Sequence, residues 1–317
     1  MSRAAAAALA GLTLALALSP GRRATAQDGG AGAAAQDSRV RPLLLLDGAP
    51  YVELELGGAR GWFLLDTGAN ASGVDQGWLE RSGARWAPGG KGRVGGTTGS
   101  VAVEKAVFER FGLGTGSFAP ATWIVHDYSG FRAPPGTAQA GLLGTDFLRS
   151  YQLTIDYEAR QARFLRQDER VPAREDQAPL ALSWINGHPT VSVRLGRLDL
   201  PCRLDSGASY LSPGPFLDVN RAAVAALRAA GAALEPAGHL TVRGISGPER
   251  RELLRAGTLE LGPLRLEGLT LVVHERGALA VDGPLALASA SVLARARVLV
   301  LDPFDHLVWV GRPSERH

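Results

Sequence analysis

Cysteine is nearly absent: Cys202 is the only one in 317 residues. A lone thiol excludes an internal disulfide framework and any cysteine-based zinc cluster. Lysine is almost as scarce, confined to Lys91 and Lys105, and aromatic residues make up only 6% of the chain. No helix-borne H-E-x-x-H occurs, and no G-x-S-x-G elbow. Gly90-Lys91-Gly92 lacks the Ser or Thr of a phosphate-binding loop, and the glycine-rich run Gly112-Leu-Gly-Thr-Gly-Ser opens no helix. Metallopeptidase, serine-hydrolase and nucleotide-loop chemistry are therefore not indicated, and neither a metal nor a cofactor is expected. Glycine (40) and proline (19) are abundant, beside 45% hydrophobic and 21% charged residues. That is the composition of a globular chain with many turns, not of a disordered segment or a coiled coil.

No later stretch resembles a transmembrane helix, but the N-terminus is apolar from Ala4 to Leu18, after a basic Arg3. This run of about 15 residues is short of the ~20 that span a bilayer. Ala24-Thr25-Ala26 offers a small-residue cleavage site before Gln27, so residues 1–26 are expected to be a signal peptide, with export to the periplasm or beyond. No cysteine lies near the site to carry a lipid anchor. Removing Arg3, Arg22 and Arg23 from the 34 basic residues leaves 31 against 31 acidic ones. The mature chain is then close to neutral, which gives no footprint for nucleic acid. No stable membrane insertion is expected.

The rest of the chain repeats itself. Residues 47–70 (DGAPYVELELGGARGWFLLDTGAN) align without a gap on residues 186–209 (NGHPTVSVRLGRLDLPCRLDSGAS), with nine of 24 positions identical, at an offset of 139. Residues 94–127 match 242–275 at an offset of 148. The extra nine residues are assigned to an insertion holding the helix former Arg221–Ala230, closed by Gly231. A looser match sets Leu153–Asp156 against Leu299–Asp302. The expected organisation is a tail over 27–41, a first lobe over 42–165, a polar linker over 166–179 and a second lobe over 180–313. Alternation in Tyr51–Leu56 and Val191–Leu195, and turns at Asp47-Gly48, Asn186-Gly187 and Gly57-Gly58, mark short strands. Two like β units in one chain suit packing about a pseudo-twofold axis.

Each copy holds an apolar strand followed by Asp, a small hydroxyl residue, Gly and Ala: Asp66-Thr67-Gly68-Ala69 and Asp205-Ser206-Gly207-Ala208. A carboxylate at the end of a buried strand needs partners. The glycine lets backbone N–H groups approach it, and the hydroxyl is placed to bond across the axis. Two carboxylates a few ångströms apart share one proton. The ionised member then takes a proton from water while the other donates to a carbonyl oxygen. One such triplet arises by chance; two in register inside a duplication do not.

These motifs resemble the aspartic peptidases, and most closely bacterial secreted proteins of the retropepsin-like group, each copy resembling one retropepsin subunit. The resemblance covers nearly all of residues 42–313. It implies a mainly β fold of two tandem retropepsin-like β-barrel lobes with small helices, an Asp66/Asp205 catalytic dyad supported by Thr67, Gly68, Ala69, Ser206, Gly207 and Ala208, and a polypeptide substrate. It further implies flap hairpins with Gly95, Gly96, Thr97, Thr98 and Gly99 in the first copy and Gly244, Ile245, Ser246 and Gly247 in the second. The element that braces the active-site loop resembles Leu142-Leu143-Gly144. The second copy reads Gly283-Pro-Leu-Ala-Leu-Ala-Ser at that place, without the glycine, and this predicts a degenerate brace and a less ordered Asp205 loop. Ala69 and Ala208 replace the hydroxyl residue usual in pepsin-type enzymes, implying a less acidic optimum. The expected activity is exported aspartic endopeptidase, in a monomer with pseudo-dimeric lobes. The alternatives are a homodimeric peptidase that pairs like lobes, or a peptide- or envelope-binding protein without turnover.

Cys202 replaces Phe63 of the first copy, so it reads as a core residue. His126 and His274 occupy equivalent positions and read as inherited strand-end residues rather than metal ligands.

Overall fold

The computed structural model describes residues 39–113, 116–118, 121–131, 133–134, 137–172, 178–210 and 214–311. The expected signal peptide, most of the expected tail and the middle of the expected linker (173–177) lie outside these residues. No helix among the described residues is long and apolar enough to cross a membrane.

Among the described residues the architecture is mainly β, with strands in two large sheets of fifteen and ten and four short α-helices. The same succession occurs twice. A hairpin, Ala49–Leu56 with Ala59–Leu65 in the first copy and His188–Leu195 with Leu198–Leu204 in the second, ends at the Asp of the repeated motif. Asp47 and Gly48, like Asn186 and Gly187, all have positive φ. Asx-Gly pairs tolerate that left-handed backbone, and it matches the twist of the strands they join. Next come a short strand and a helix, Gly73–Asp75 with Gln76–Ser82 and Phe216–Asn220 with Arg221–Ala229. The helices start alike: Asp75 Oδ2 accepts the Trp78 N–H at 2.7 Å, and Asn220 Oδ1 accepts the Ala223 N–H at 2.9 Å.

That equivalence corrects the reading of the insertion. The helix is common to both copies, and six of the nine extra residues fall between Asp205 and the cap at Asn220, with only three after it. Two boundaries also differ from expectation. The first strand, Val40–Leu46, starts inside the expected tail because Val40 and Arg41 pair with Arg163 and Ala162. The strand Ala178–Ala181 begins inside the expected linker because it pairs with Leu307–Val310.

A six-stranded antiparallel sheet joins the halves, in the order Ala178–Ala181, Leu307–Val310, Val298–Asp302, Gln152–Asp156, Gln161–Leu165, Val40–Leu46. At its centre Leu153 faces Leu301 and Ile155 faces Leu299, with Thr154 opposite Val300. Exchanging the equivalent residues of the repeat leaves this register unchanged, so the pseudo-twofold axis passes between Thr154 and Val300. The first half of the core is aromatic, with Phe63 and Phe111 edge-on to Trp123 at 5.7 and 5.6 Å. The second is aliphatic, built on residues such as Leu200, Leu204, Leu227 and Leu271. Cys202 is fully buried among them, and burial pushes its thiol up to about 12.

Candidate active site

Asp66 and Asp205 each follow the last residue of a buried strand, and the two loops meet on the pseudo-twofold axis. Four bonds lock them together. The Thr67 hydroxyl donates to the Leu204 carbonyl (2.8 Å) and accepts from the Ser206 N–H (3.0 Å). The Ser206 hydroxyl donates to the Leu65 carbonyl (2.5 Å) and accepts from the Thr67 N–H (3.1 Å). Both side chains are almost fully buried. Each carboxylate then receives two backbone N–H groups of its own loop: Asp66 Oδ1 from Gly68 (2.9 Å) and Ala69 (3.0 Å), Asp205 Oδ1 from Gly207 (3.0 Å) and Ala208 (2.8 Å).

The loops also press on one another. A Cβ built on Gly68 would collide with the Asp205 carboxylate, and one on Gly207 with that of Asp66. Only glycine permits this approach, which puts the two carboxylates against opposite faces of the same small space. Burial pushes Asp66 up to about 6 against the opposing pull of its N–H donors. Asp205 is raised well above the ordinary carboxylate range, first by burial and then by the neighbouring Asp66 charge. The pair therefore loses its first proton above the ordinary carboxylate range and holds the second more tightly.

The bracing element is present in both copies, which corrects the expectation of a degenerate second brace. In the first, Gln139–Leu143 runs parallel to Ala59–Leu65. The Asp66 N–H donates to the Leu143 carbonyl (3.0 Å) and the Thr145 N–H to the Ala69 carbonyl (2.8 Å). In the second, Ala286–Ala288 runs parallel to Leu198–Leu204. The Asp205 N–H donates to Ala288 (3.0 Å) and the Ala290 N–H to Ala208 (2.7 Å). Ser289 takes the place of Gly144. A Cβ on Gly144 would meet Ala71 backbone atoms at 2.7 and 2.8 Å, whereas buried Ser289 has room and donates its hydroxyl to the Phe216 carbonyl at 2.6 Å. The brace works through backbone atoms of the flanking residues, so the loss of glycine costs it nothing.

The two hairpins expected to serve as flaps are Ala87–Gly96 with Gly99–Phe108, and Glu235–Gly244 with Gly247–Arg255. Their tips meet: Thr98 Oγ1 accepts from the Ser246 N–H (3.2 Å) and hydroxyl (2.8 Å). Gly96 and Gly244 give these tips room, since a Cβ on either would clash with Ile245 or Thr98 of the other. Gly95 and Gly247 have open space around them. Buried Arg251, a residue the motifs do not point to, donates to the Thr97 carbonyl at 2.9 Å and so ties the first flap to the second.

His126 and His274 share a repeat position but not an environment. His274 is buried with Nε2 2.5 Å from Asp218 Oδ1, where the Tyr210 hydroxyl also donates. His126 lies edge-on to Tyr128 at 5.3 Å between ring centres. No group of three potential metal ligands occurs among the described residues. Asp218, Tyr210 and Arg203 went unremarked in the sequence because nothing in the motifs marks them; only comparison with the apolar equivalents in the first copy sets them apart.

Residues 52–147 match the family model described as aspartyl protease. This segment spans the first Asp-Thr-Gly-Ala loop, the first flap and the Leu142-Leu143-Gly144 brace. Among curated proteins none matches the chain.

Proposed function

We propose that the protein is an aspartic endopeptidase, exported through its N-terminal signal segment, in which Asp66 and Asp205 form one intramolecular dyad. The observation that carries the reading is the reciprocal lock of Thr67 and Ser206, with each loop glycine pressed on the opposite carboxylate. In the working state the pair carries one proton. Ionised Asp66 draws a proton from a water held between the carboxylates as that water attacks the peptide carbonyl carbon. Protonated Asp205 donates to the carbonyl oxygen, giving a neutral tetrahedral adduct. Collapse of the adduct breaks the C–N bond as Asp66 gives its proton to the nitrogen and one hydroxyl of the adduct returns its proton to Asp205, so the acid and amine products leave and the pair again carries one proton. The flap tips at Thr97, Thr98, Ile245 and Ser246 would close over an extended chain through backbone bonds.

Binding without turnover was motivated by the absent bracing glycine, and Ala288 and Ala290 hold the Asp205 loop by the same two bonds used in the first copy. A dimer of like lobes is disfavoured by the lock formed within one chain. The test is cleavage of casein by the mature chain between pH 3 and pH 9, with and without pepstatin, beside Asp66→Asn and Asp205→Asn. Both variants should be inactive, and light scattering should give the monomer mass. Turnover surviving in Asp205→Asn would refute the intramolecular dyad. A mature N-terminus at Gln27 in exported protein would support the signal segment.

A further inference from the structure

The two walls of the cleft come from equivalent positions of the repeat but differ in charge. Side chains two apart on a strand face the same way, so Leu64 projects to the side of Asp66, and Arg203 to the side of Asp205. On the first wall Leu64 is buried with Ala49, Tyr51, Leu142 and Tyr128. On the second wall Arg203 stands for Leu64 and His188 for Ala49. Arg203 pairs with Leu287 of an apolar cluster that also holds Leu279 and Leu285, against which Ala208 packs.

Arg203 is only 5% exposed. Its Nη1 donates to the Ala278 carbonyl at 2.9 Å, while its Nε has no partner. His188 lies on the neighbouring strand, two residues from the Thr190 that faces Arg203. Burial and the Arg203 charge push its imidazole down to about 4, and its Nδ1 also has no partner. Two other groups of this half have side-chain partners: Asp218 Oδ1 lies 2.5 Å from His274 Nε2, and Arg251 donates to Glu249 at 2.5 Å. Arg203 forms no ion pair with a carboxylate among the described residues. A buried guanidinium with an unused N–H is costly until an anion completes it, and its planar fork fits a carboxylate.

We propose that Arg203, assisted by His188, forms a carboxylate-binding subsite beside Asp205 that selects substrates with an acidic group against the second wall. The carboxylate comes from an Asp or Glu side chain or from a peptide C-terminus. The inference takes its substrate class from the peptidase reading, but binding alone can test it. Peptide pairs differing by Glu or Gln at each residue around the cleaved bond, with free or amidated C-termini, are compared in kcat/KM. Uncleavable analogues with a reduced bond are compared by calorimetry. Wild type should favour the acid by about 10–100-fold, the range for a hydrogen bond to a charged group. Arg203→Leu, which installs the first-wall residue, should abolish that ratio in a protein that still unfolds in one cooperative transition, and Arg203→Lys should retain part of it. Preference that survives amidation assigns a side-chain carboxylate; preference confined to free C-termini assigns the chain end. Equal treatment of Glu and Gln peptides by wild type at every position, or a preference that persists in Arg203→Leu, overturns the subsite. Acid-selective binding with no cleavage overturns the peptidase reading and leaves the subsite standing.

Discussion

Thr67 and Ser206 each serve as donor and acceptor with no solvent to replace a lost partner. Thr67→Ala strands the Leu204 carbonyl and the Ser206 N–H, both held by the Thr67 hydroxyl. Each stranded group costs about 1–3 kcal/mol, so chemical denaturation should show a loss of that order per group, with activity falling alongside. Thr67→Ser, which keeps the hydroxyl, should restore most of both; a Thr67→Ala protein as stable as wild type would contradict the lock. Protonation supplies a second prediction. Both aspartates are raised in the folded state, so the native protein binds more protons than the unfolded chain between the ordinary carboxylate range and the folded values. The stability these two groups contribute is then fully present at acid pH and is lost as pH rises through about 6 for Asp66, and further for Asp205. Melting curves from pH 4 to 8 should fall, and Asp205→Asn should flatten that fall. Activity should rise through about pH 6 as the first proton leaves; an optimum below about pH 3 would sink this assignment.

At the scale of elements, the duplicated loops and hairpins were legible because they repeat in register with their turn residues. Asp47-Gly48 and Asn186-Gly187 adopt the positive φ that such pairs signal. The second brace was not legible, because its function rests on backbone atoms that sequence identity does not report. Ala288 and Ala290 supply the same carbonyl and N–H as Leu143 and Thr145, so a glycine is not what makes the brace. The partners of Asp218 were equally hidden, since His274 and Tyr210 reach it only once strand and loop are folded together. Substituting the two brace residues exposes the difference between the copies. Gly144→Ser should disable the first loop, because its Cβ meets the Ala71 backbone. Ser289→Ala strands the Phe216 carbonyl and removes the bond to the Ser291 hydroxyl, costing about 1–3 kcal/mol per group, and should leave turnover largely intact below the transition temperature. Equal loss of activity in both variants would refute this division.

For the whole molecule, the sequence shows two copies, and the register shows how they become one body. The six-stranded sheet takes three strands from each half, but only one of its pairings crosses between them, Gln152–Asp156 with Val298–Asp302. That seam is well sealed. Leu153, Ile155, Leu299 and Leu301 are buried along it. Gln152 Nε2 donates to Asp302 Oδ2 at 2.7 Å, and the Tyr157 N–H to the Arg297 carbonyl at 3.1 Å. The lock of Thr67 and Ser206 ties the halves again at the other end of the axis. An isolated half would expose the apolar seam and leave an open strand edge, a template for aggregation. The halves are therefore expected to unfold together, in one calorimetric transition whose measured and van't Hoff enthalpies agree. Thr154→Pro removes a ladder N–H from a central strand and should cost about 1–3 kcal/mol through the group it leaves unsatisfied. Its effect should lower the single transition without splitting it. Two separated transitions in the wild-type protein, each reproduced by one half expressed alone, would show instead that the lobes are independent and that the seam and the lock contribute little.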